Sequence, residues 1–324
     1  LLDTSYDGLA ARLALIDSAV SSLDIQTYLW YPDFSGRLIL DRAIRAADRG
    51  VYVRLLVDDL LTIGLDQTLY ELNRRPNVEV RMFNPWKDRS MLSRGGEFIA
   101  EMERMNTRMH DKLLIADSHA AVVGGRNIGD NYFGVHSGAN FRDLDLAVVG
   151  PVVQDVSRSF DQYWNSEFAV PISAIIKERL SEEEFLERKA KLYRWVDEVK
   201  GYPYPIDTTS DVVMARLEDF RDDFIWAPAR ALYDEPDKLE TDKEEVADHL
   251  IQLGQEKDHE VMIEAAYVIA GPEGVERTRL NKERGIRQRL LTNSLATNDV
   301  AAAHAGGRPL RGRIHAQARL QCRR

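Results

Sequence analysis

The first 170 residues carry hydrophobic patterns that switch between period two and helical spacing. Residues 23–30 (LDIQTYLW) alternate and are rich in strand formers, whereas residues 36–50 place apolar side chains at helical intervals and end in glycine. Residues 51–60 (VYVRLLVDDL) follow with a second strand pattern. Because strand, helix and strand in this order are typical of a β-α-β unit, we predict an α/β domain over residues 1–170.

The same patterns predict the other elements of this domain. We expect a helix at 65–75, a strand at 78–85, a hairpin built from MHDKLLIAD and AAVVGG, a strand at 141–151 and a closing helix at 152–168. Residues 171–207 are predicted to connect this domain to the next one, because 171–200 is dense in charge with apolar residues at helical spacing, which indicates a helix pair. Residues 201–207 (GYPYPID) form the predicted linker.

An internal repeat indicates a duplicated architecture. The strand pattern of 23–30 returns in residues 261–268 (VMIEAAYV), and RGVYVRLLVDDL at 49–60 returns as RGIRQRLLTNSL at 284–295. Strand, helix and strand recur in the same order, with similar element lengths. We therefore predict that residues 208–306 are a second copy of the first domain.

Composition narrows the functional classes. The chain has 53 acidic against 43 basic residues and a formal net charge of −10, which argues against a protein whose main task is to grip a nucleic-acid backbone. Its one cysteine, Cys322, gives no disulfide framework. No apolar run approaches the roughly 20 residues that a transmembrane helix needs. Position 1 is Leu, so we expect that the sequence begins inside a longer protein.

One motif carries chemistry. His110, Lys112 and Asp117 have HxKx4D spacing, and residues two apart on a strand face the same side, so the imidazole of His110 and the ammonium of Lys112 should converge. A neutral imidazole can attack phosphorus while the lysine neutralises charge on the phosphate oxygens. Asp117 falls on the opposite face, which favours a structural role at a hairpin turn over a chemical one.

The GGRN segment after the motif supplies candidate phosphate ligands. Gly124 and Gly125 let backbone amides approach a phosphate closely, and the side-chain amide of Asn127 can donate a further hydrogen bond. The guanidinium of Arg126 either donates a pair of hydrogen bonds to the phosphate or faces solvent. This chemistry needs no metal and no cofactor.

The HxKx4D motif, the GGRN segment and the internal duplication together resemble the phospholipase D superfamily. More narrowly, the chain resembles bacterial cardiolipin synthases over about residues 3–306, in DIQTYLW, FNPW, GGRNIGDNYFG, DLDLAVVGPVV and LTNSLATNDVAAAHAG. The resemblance implies a phospholipase D-like α/β/α sandwich, duplicated about a pseudo-two-fold axis, with an incomplete second copy. It also implies transfer of a phosphatidyl group, through a phosphohistidine, to an alcohol such as a phosphatidylglycerol hydroxyl.

The resemblance assigns one further residue. In the family an acidic residue on the strand after the motif orients the histidine, and Asp143 matches that place, although Asp145 shares its strand face. Asp58 and Asp59 could line the site, but capping of the next helix is the commoner role for such carboxylates. The aromatic residues of the domain are assigned to core packing: Tyr28, Trp30, Tyr163 and Trp164.

The second copy lacks its own HxKx4D motif. By the spacing of the first copy, its histidine would fall beyond residue 324, and residues 307–324 contain six arginines without a strand or helix pattern. We expect a frameshift or premature end of the coding sequence; the alternative is a native basic tail that binds anionic lipid. His304 matches a family histidine without a derived role, and His315 lacks the following lysine.

The sequence thus predicts a phosphatidyltransferase that is impaired by the missing motif. It would act on a phospholipid such as phosphatidylglycerol, peripherally at a bacterial membrane whose side stays open, with nucleic acid disfavoured. Two alternatives remain: a phosphodiesterase or nuclease that completes its site by dimerising, and an inactive remnant that binds lipid. The sequence does not decide which histidine of an intact enzyme would attack.

Overall fold

The computed structural model describes residues 1–59, 66–86, 108–176, 181–198, 215, 218, 221, 224–236, 245–255, 259–266 and 272–294. The chain forms two compact units, Leu1–Lys243 and Glu244–Arg324. The predicted linker at 201–207 and the tail at 307–324 lie outside the described residues, as do His304 and His315. The predicted domain limits at 170, 207 and 306 stay predictions.

The first unit is built on a seven-stranded mixed sheet. Its strands are β1 (Ser22–Thr27), β2 (Tyr52–Asp58), β3 (Val78–Phe83), β4 (Leu113–Ala116), β5 (Ala120–Gly124), β6 (Asp145–Val149) and β7 (Ala169–Pro171). They lie in the order β6-β5-β4-β1-β2-β3-β7; β1, β2 and β3 are parallel, and every other neighbouring pair is antiparallel. The predicted β-α-β unit is confirmed.

Helices cover both faces of this sheet. They are α1 (Ser5–Ser18), α2 (Phe34–Asp48), α3 (Asp66–Asn73), α4 (Val152–Asn165), the single turn α5 (Ile172–Ile175) and α6 (Glu182–Glu198). Successive side chains of β2 point to opposite faces of the sheet. Leu55 therefore packs in the hydrophobic cluster that contains α1, α2 and α3, and Leu56 packs in the cluster that contains α4. The result is the predicted α/β/α sandwich.

Local sequence explains where α2 begins and ends. Asp33 is its N-cap, and Oδ1 of Asp33 accepts a hydrogen bond from the Gly36 amide at 3.0 Å. After the helix, Gly50 adopts φ of +100°, a conformation that side chains disfavour, so the predicted glycine stop is confirmed. Several boundaries were wrong: residues 108–112 precede β4, the strand predicted at 141–151 covers only Asp145–Val149, and the helix predicted at 152–168 ends at Asn165.

The second unit contains α7 (Glu245–Gln255), β8 (Glu260–Glu264), α8 (Pro272–Glu283) and β9 (Arg287–Leu291). Strands β8 and β9 pair in parallel across α8, so the strand, helix and strand predicted for the repeat are confirmed. None of the helices that the structure describes combines the length and hydropathy of a bilayer-crossing segment.

Candidate active site

Sheet topology brings the sequence-predicted residues to one edge of the first unit. The parallel strands β1 and β2 end there, at Thr27 and Asp58, and antiparallel β4 begins there, with Leu113 opposite Gln26. Strand β5 ends at the same edge, and its Gly124 pairs with Asp145 at the start of β6. The segments that precede or follow these strand ends therefore meet.

His110 and Lys112 converge on Tyr28. The rings of Tyr28 and His110 have their centroids 4.7 Å apart at an interplanar angle of 54°. Nζ of Lys112 lies 5.2 Å from the Tyr28 ring centroid and donates a hydrogen bond to the His110 carbonyl. The convergence expected from the motif is present, although both residues precede the strand. Sequence reasoning missed Tyr28 and assigned it to the core.

The ammonium of Lys112 is poorly solvated. Lys112 is only 5 % exposed, and this burial lowers its pKa to about 8, against the opposing effect of the carboxylates of Asp111, Asp143 and Asp58. His110, by contrast, is exposed to solvent. The site thus pairs an accessible imidazole with a cation held in a low-dielectric setting, where its charge acts strongly on a neighbouring phosphate.

Asp58 supports this arrangement from the end of β2. It is fully buried, its Oδ2 accepts a hydrogen bond from the Met109 amide at 3.0 Å, and its Oδ1 lies 3.4 Å from Nη1 of Arg108. Asp59 instead accepts from the Trp86 amide at 2.9 Å. The Asp58 carboxylate thus fixes the chain next to the motif, and the helix-capping role expected for both residues stays a prediction, because residues 60–65 lie outside the described residues.

The two glycines of GGRN lie tightly against the start of β6. A Cβ on Gly124 would lie 2.1 Å from Oδ1 of Asp145, and one on Gly125 would lie 2.0 Å from Oδ1 of Asp143. Their amides donate to the carbonyls of Lys112 (3.2 Å) and Leu144 (3.1 Å). In the structure the two glycines allow this close packing because they have no Cβ, and phosphate binding by their amides stays a prediction.

Asn127 and Arg126 are both buried in the loop that follows. Oδ1 of Asn127 accepts from the Leu29 amide at 3.0 Å, and its Nδ2 donates to the Tyr132 hydroxyl at 2.7 Å. Asn127 therefore fixes the loop that carries Tyr28, and its predicted phosphate contact stays a prediction. Arg126 is 1 % exposed, so the idea that it faces solvent was wrong.

The structure distinguishes Asp143 from Asp145. Asp145 is buried between two arginines: its Oδ2 lies 2.7 Å from Nη1 of Arg12 and 3.0 Å from Nη1 of Arg126. Asp143 is half-buried, and burial together with the Asp145 carboxylate raises its pKa, while the Leu144 amide, Arg126 and Lys112 act in the opposite direction. Of these two aspartates, Asp143 is the one whose charge acts on Lys112, and its role in orienting His110 stays a prediction.

Asp117 lies at the other end of β4. With φ of 53°, it starts a tight turn in the left-handed region, which aspartate tolerates better than most residues. Its carboxylate accepts hydrogen bonds from the amides of Val20, Ser21 and Ser22, and these bonds lower its pKa against the effect of burial. Asp117 belongs to the candidate catalytic HxKx4D motif, and this geometry favours the structural role expected from its position on the opposite face of the strand.

A cavity of about 350 Å³ opens beside the motif. It is lined by His110 to Leu113, by Val156 and Ser159 of α4, and by Ala231 to Tyr233. The Tyr163 hydroxyl donates to the Asp234 carbonyl at 3.0 Å, which ties residues 224–236 to α4. Sequence analysis missed this segment because it has neither a strand nor a helix period.

The imidazole of His110 and the desolvated ammonium of Lys112 thus lie at the edge of an α/β/α sandwich, the fold that the resemblance to the phospholipase D superfamily implies. A family model described as "Cardiolipin synthase, PLD-like domain" matches residues 13–164. This match and the relatives described next support assignment of the chain to the phospholipase D superfamily, as a cardiolipin synthase-like protein.

Individual relatives agree with this assignment. The chain is 37 % identical to cardiolipin synthase C of Escherichia coli over 308 residues, which cover 94 % of this chain and 64 % of that protein. It is 32 % identical to a cardiolipin synthase of Oceanobacillus iheyensis over 163 residues, or 50 % of this chain and 31 % of that one. The chain thus spans less than two thirds of the length of these relatives.

Among solved structures, the phosphatidylserine synthase of Haemophilus influenzae has a TM-score of 0.59 with this chain. The match covers 97 % of this chain and 68 % of that one at 14 % sequence identity. At this identity the likeness supports the fold alone, and it agrees with the sandwich described above.

Proposed function

We propose that the protein transfers a phosphatidyl group from a phospholipid such as phosphatidylglycerol to an alcohol. The convergence of the His110 imidazole and the Lys112 ammonium on Tyr28, beside a cavity of about 350 Å³, carries the proposal. The family and the cardiolipin synthases among its relatives support phospholipid as the substrate class.

In the proposed first step, a neutral ring nitrogen of His110 attacks phosphorus and forms a phosphohistidine. The bond from phosphorus to the leaving alcohol breaks, and that alcohol takes up a proton. In the second step, the acceptor hydroxyl loses its proton, attacks the phosphohistidine and releases free His110. Lys112 neutralises charge on the non-bridging oxygens in both steps, Asn127 and the glycine amides bind the phosphate, and Asp143 orients His110.

The proton donor for the leaving alcohol is a second requirement of this mechanism. The sequence contains one HxKx4D motif, so it supplies one such histidine. We propose that the chain by itself turns over weakly for this reason, and that a second motif, from an intact partner half or a second molecule, would raise the rate.

The proposed membrane contact lies on the segment that lines the site. Ile225 and Trp226 are 89 % and 80 % exposed, and they precede Ala231 by a few residues. An exposed tryptophan beside an aliphatic residue suits the interface between lipid headgroups and chains. Replacing Trp226 with Ser should weaken sedimentation with phosphatidylglycerol vesicles while leaving turnover of a soluble short-chain lipid unchanged.

The decisive experiment incubates the chain with phosphatidylglycerol vesicles and looks for cardiolipin and for a phosphorylated histidine by mass spectrometry. The proposal expects both products, with the acid-labile modification at His110 and neither product in His110→Ala. Hydrolysis of a nucleotide diester without any lipid product would favour the nuclease alternative, and lipid binding without turnover would favour the inactive one.

A further inference from the structure

A second cavity, which we call the helical-face cavity, lies between α2, α3 and α6. Its volume is about 570 Å³, within the range of small-molecule binding sites. Its floor includes Leu55 of β2, which belongs to the core on the α2 side, whereas the cavity beside His110 is lined by α4 on the other side. The two cavities therefore lie on opposite faces of the sheet.

The lining of the helical-face cavity is largely apolar. Leu40 and Ile44 of α2, Leu69 and Leu72 of α3, and Leu192 of α6 contribute aliphatic surface. Trp30 and Trp195 add two indole rings. A hydrocarbon chain that enters this space would leave water at little cost in polar contacts.

Arg75 is the polar group that this lining leaves incompletely bonded. It is 8 % exposed and lines the cavity, and among the residues that the structure describes its Nε and Nη1 have no hydrogen-bond partner. Its Cζ lies 5.5 Å from the centroid of the Phe185 ring. A buried guanidinium with unsatisfied donors is costly. Both atoms are covered in this structure, so a turn of the Arg75 side chain towards the cavity is needed for a bound anion to satisfy them.

The charges around the cavity have one dominant sign. Four further cations line it, namely Arg37, Arg188, Lys189 and Lys191, against the single carboxylate of Glu71. Glu71 pairs with Arg188, with its Oε1 2.9 Å from Nη1 of Arg188, and Lys189 pairs with Asp48 at 3.5 Å, so Arg37, Arg75 and Lys191 supply the remaining positive charge. An anion is therefore attracted here and does not meet an uncompensated carboxylate.

We propose that the helical-face cavity binds an anionic amphiphile with one hydrocarbon chain, such as a fatty acid or a lysophospholipid. The headgroup accepts hydrogen bonds from Arg75, and the chain lies against the aliphatic side chains of α2, α3 and α6. This site is separate from the phosphate-transfer site and does not depend on His110.

The test uses brominated lipids, which quench nearby tryptophans, with the full chain. Two of the five tryptophans line the cavity. We expect saturable quenching by 9,10-dibromostearate, at least tenfold weaker binding in Arg75→Met and unchanged binding in His110→Ala. Arg74→Met is the matched control, because Arg74 pairs with Glu182 at 2.7 Å and is not among the lining residues.

Quenching in tryptophan variants locates the site, and lipids with different headgroups identify the group that it binds. Trp195→Phe should reduce the quenching amplitude, whereas Trp226→Phe should not, and this readout holds even if Arg75→Met fails to fold. Dibromo-lysophosphatidylglycerol binding better than stearate indicates a phosphodiester headgroup, and the reverse indicates a carboxylate. Equal binding of zwitterionic lysophosphatidylcholine, wild-type affinity in Arg75→Met, or full quenching in Trp195→Phe would overturn the proposal.

Discussion

The two ends of β4 carry the two halves of one motif and do different work. At its start, His110 and Lys112 gather around Tyr28 at the edge where β1 and β2 end. At its far end, the carboxylate of Asp117 binds the backbone amides that lead into β1. A short sequence pattern can thus combine the proposed reactive pair with a residue that holds the neighbouring strand in place.

Replacing His110 with Ala tests the reactive end most severely. Without the nucleophile, we expect transfer to fall by about 10³-fold or more, as removal of an attacking group does in other covalent mechanisms. Because His110 is exposed, the urea midpoint should stay at its wild-type value. Residual activity above a tenth of wild type would rule out His110 as the nucleophile.

Lys112→Met should lower turnover and raise stability together. Loss of the phosphate-neutralising charge is expected to cost about 10²-fold to 10³-fold in kcat. In the folded state the pKa of Lys112 is about 8, below its unfolded value of 10.5. The buried charge therefore destabilises the folded state fully below pH 8, and this cost disappears as pH rises from about 8 towards 10.5. Its removal should therefore stabilise the protein by about 3 kcal/mol at pH 7.

The same pKa shift predicts how the wild-type protein responds to pH. Activity should fall as pH rises through about 8, where Lys112 loses its proton, while urea unfolding becomes more difficult over the same interval. A pH profile of kcat measured beside urea midpoints checks both directions. A constant midpoint difference between wild type and Lys112→Met across pH 7–10 would contradict the argument.

At the other end of β4, Asp117→Ala should cost stability and spare chemistry. Loss of a carboxylate that accepts several backbone hydrogen bonds is expected to lower the free energy of unfolding by about 1.5–3 kcal/mol. Because the folded pKa is depressed, this contribution is present above about pH 4 and is lost as pH falls further. Asp155→Ala, at an exposed ion pair with Arg158, is the matched control and should change little.

Activity per folded molecule separates the two ends of β4 in this pair of variants. It should remain within twofold of wild type in Asp117→Ala, measured at a temperature where the variant is folded. A loss as large as that in Lys112→Met would place Asp117 in the chemistry instead.

The smallest effect is expected at Tyr28, which touches both reactive residues. Its ring faces the Lys112 ammonium, a contact worth roughly 0.5–2 kcal/mol, so Tyr28→Leu should reduce kcat by about threefold to tenfold. Tyr28→Phe keeps the ring and should stay within twofold. Equal losses in both variants would show that the hydroxyl, not the ring, matters.

Local signals in the sequence sufficed for the elements and for the reactive pair. The helical spacing before Gly50 and the strand patterns on both sides of α2 predicted the first β-α-β unit, and the HxKx4D spacing located His110 and Lys112. These features depend on neighbours within a few positions, which a periodic pattern records.

The contacts that complete the site depend on strand order, which no local pattern records. Tyr28 reaches the motif because β1 pairs with β4, and Asp58 does so because β2 ends at the same edge. Residues 231–233 line the cavity through their packing near α4, without any period of their own. The second hydrogen-bonding partner of Asn127, Tyr132, was likewise invisible before the loop was folded.

The buried pair of Arg12 and Asp145 has a consequence for how the protein is made. The two residues are 133 positions apart, so during synthesis the first helix leaves the ribosome long before its partner carboxylate exists. Until then no Asp145 carboxylate neutralises the charge of Arg12, and β1 lacks its antiparallel neighbour β4. The edge that carries His110 can therefore form only after most of the first unit has been translated.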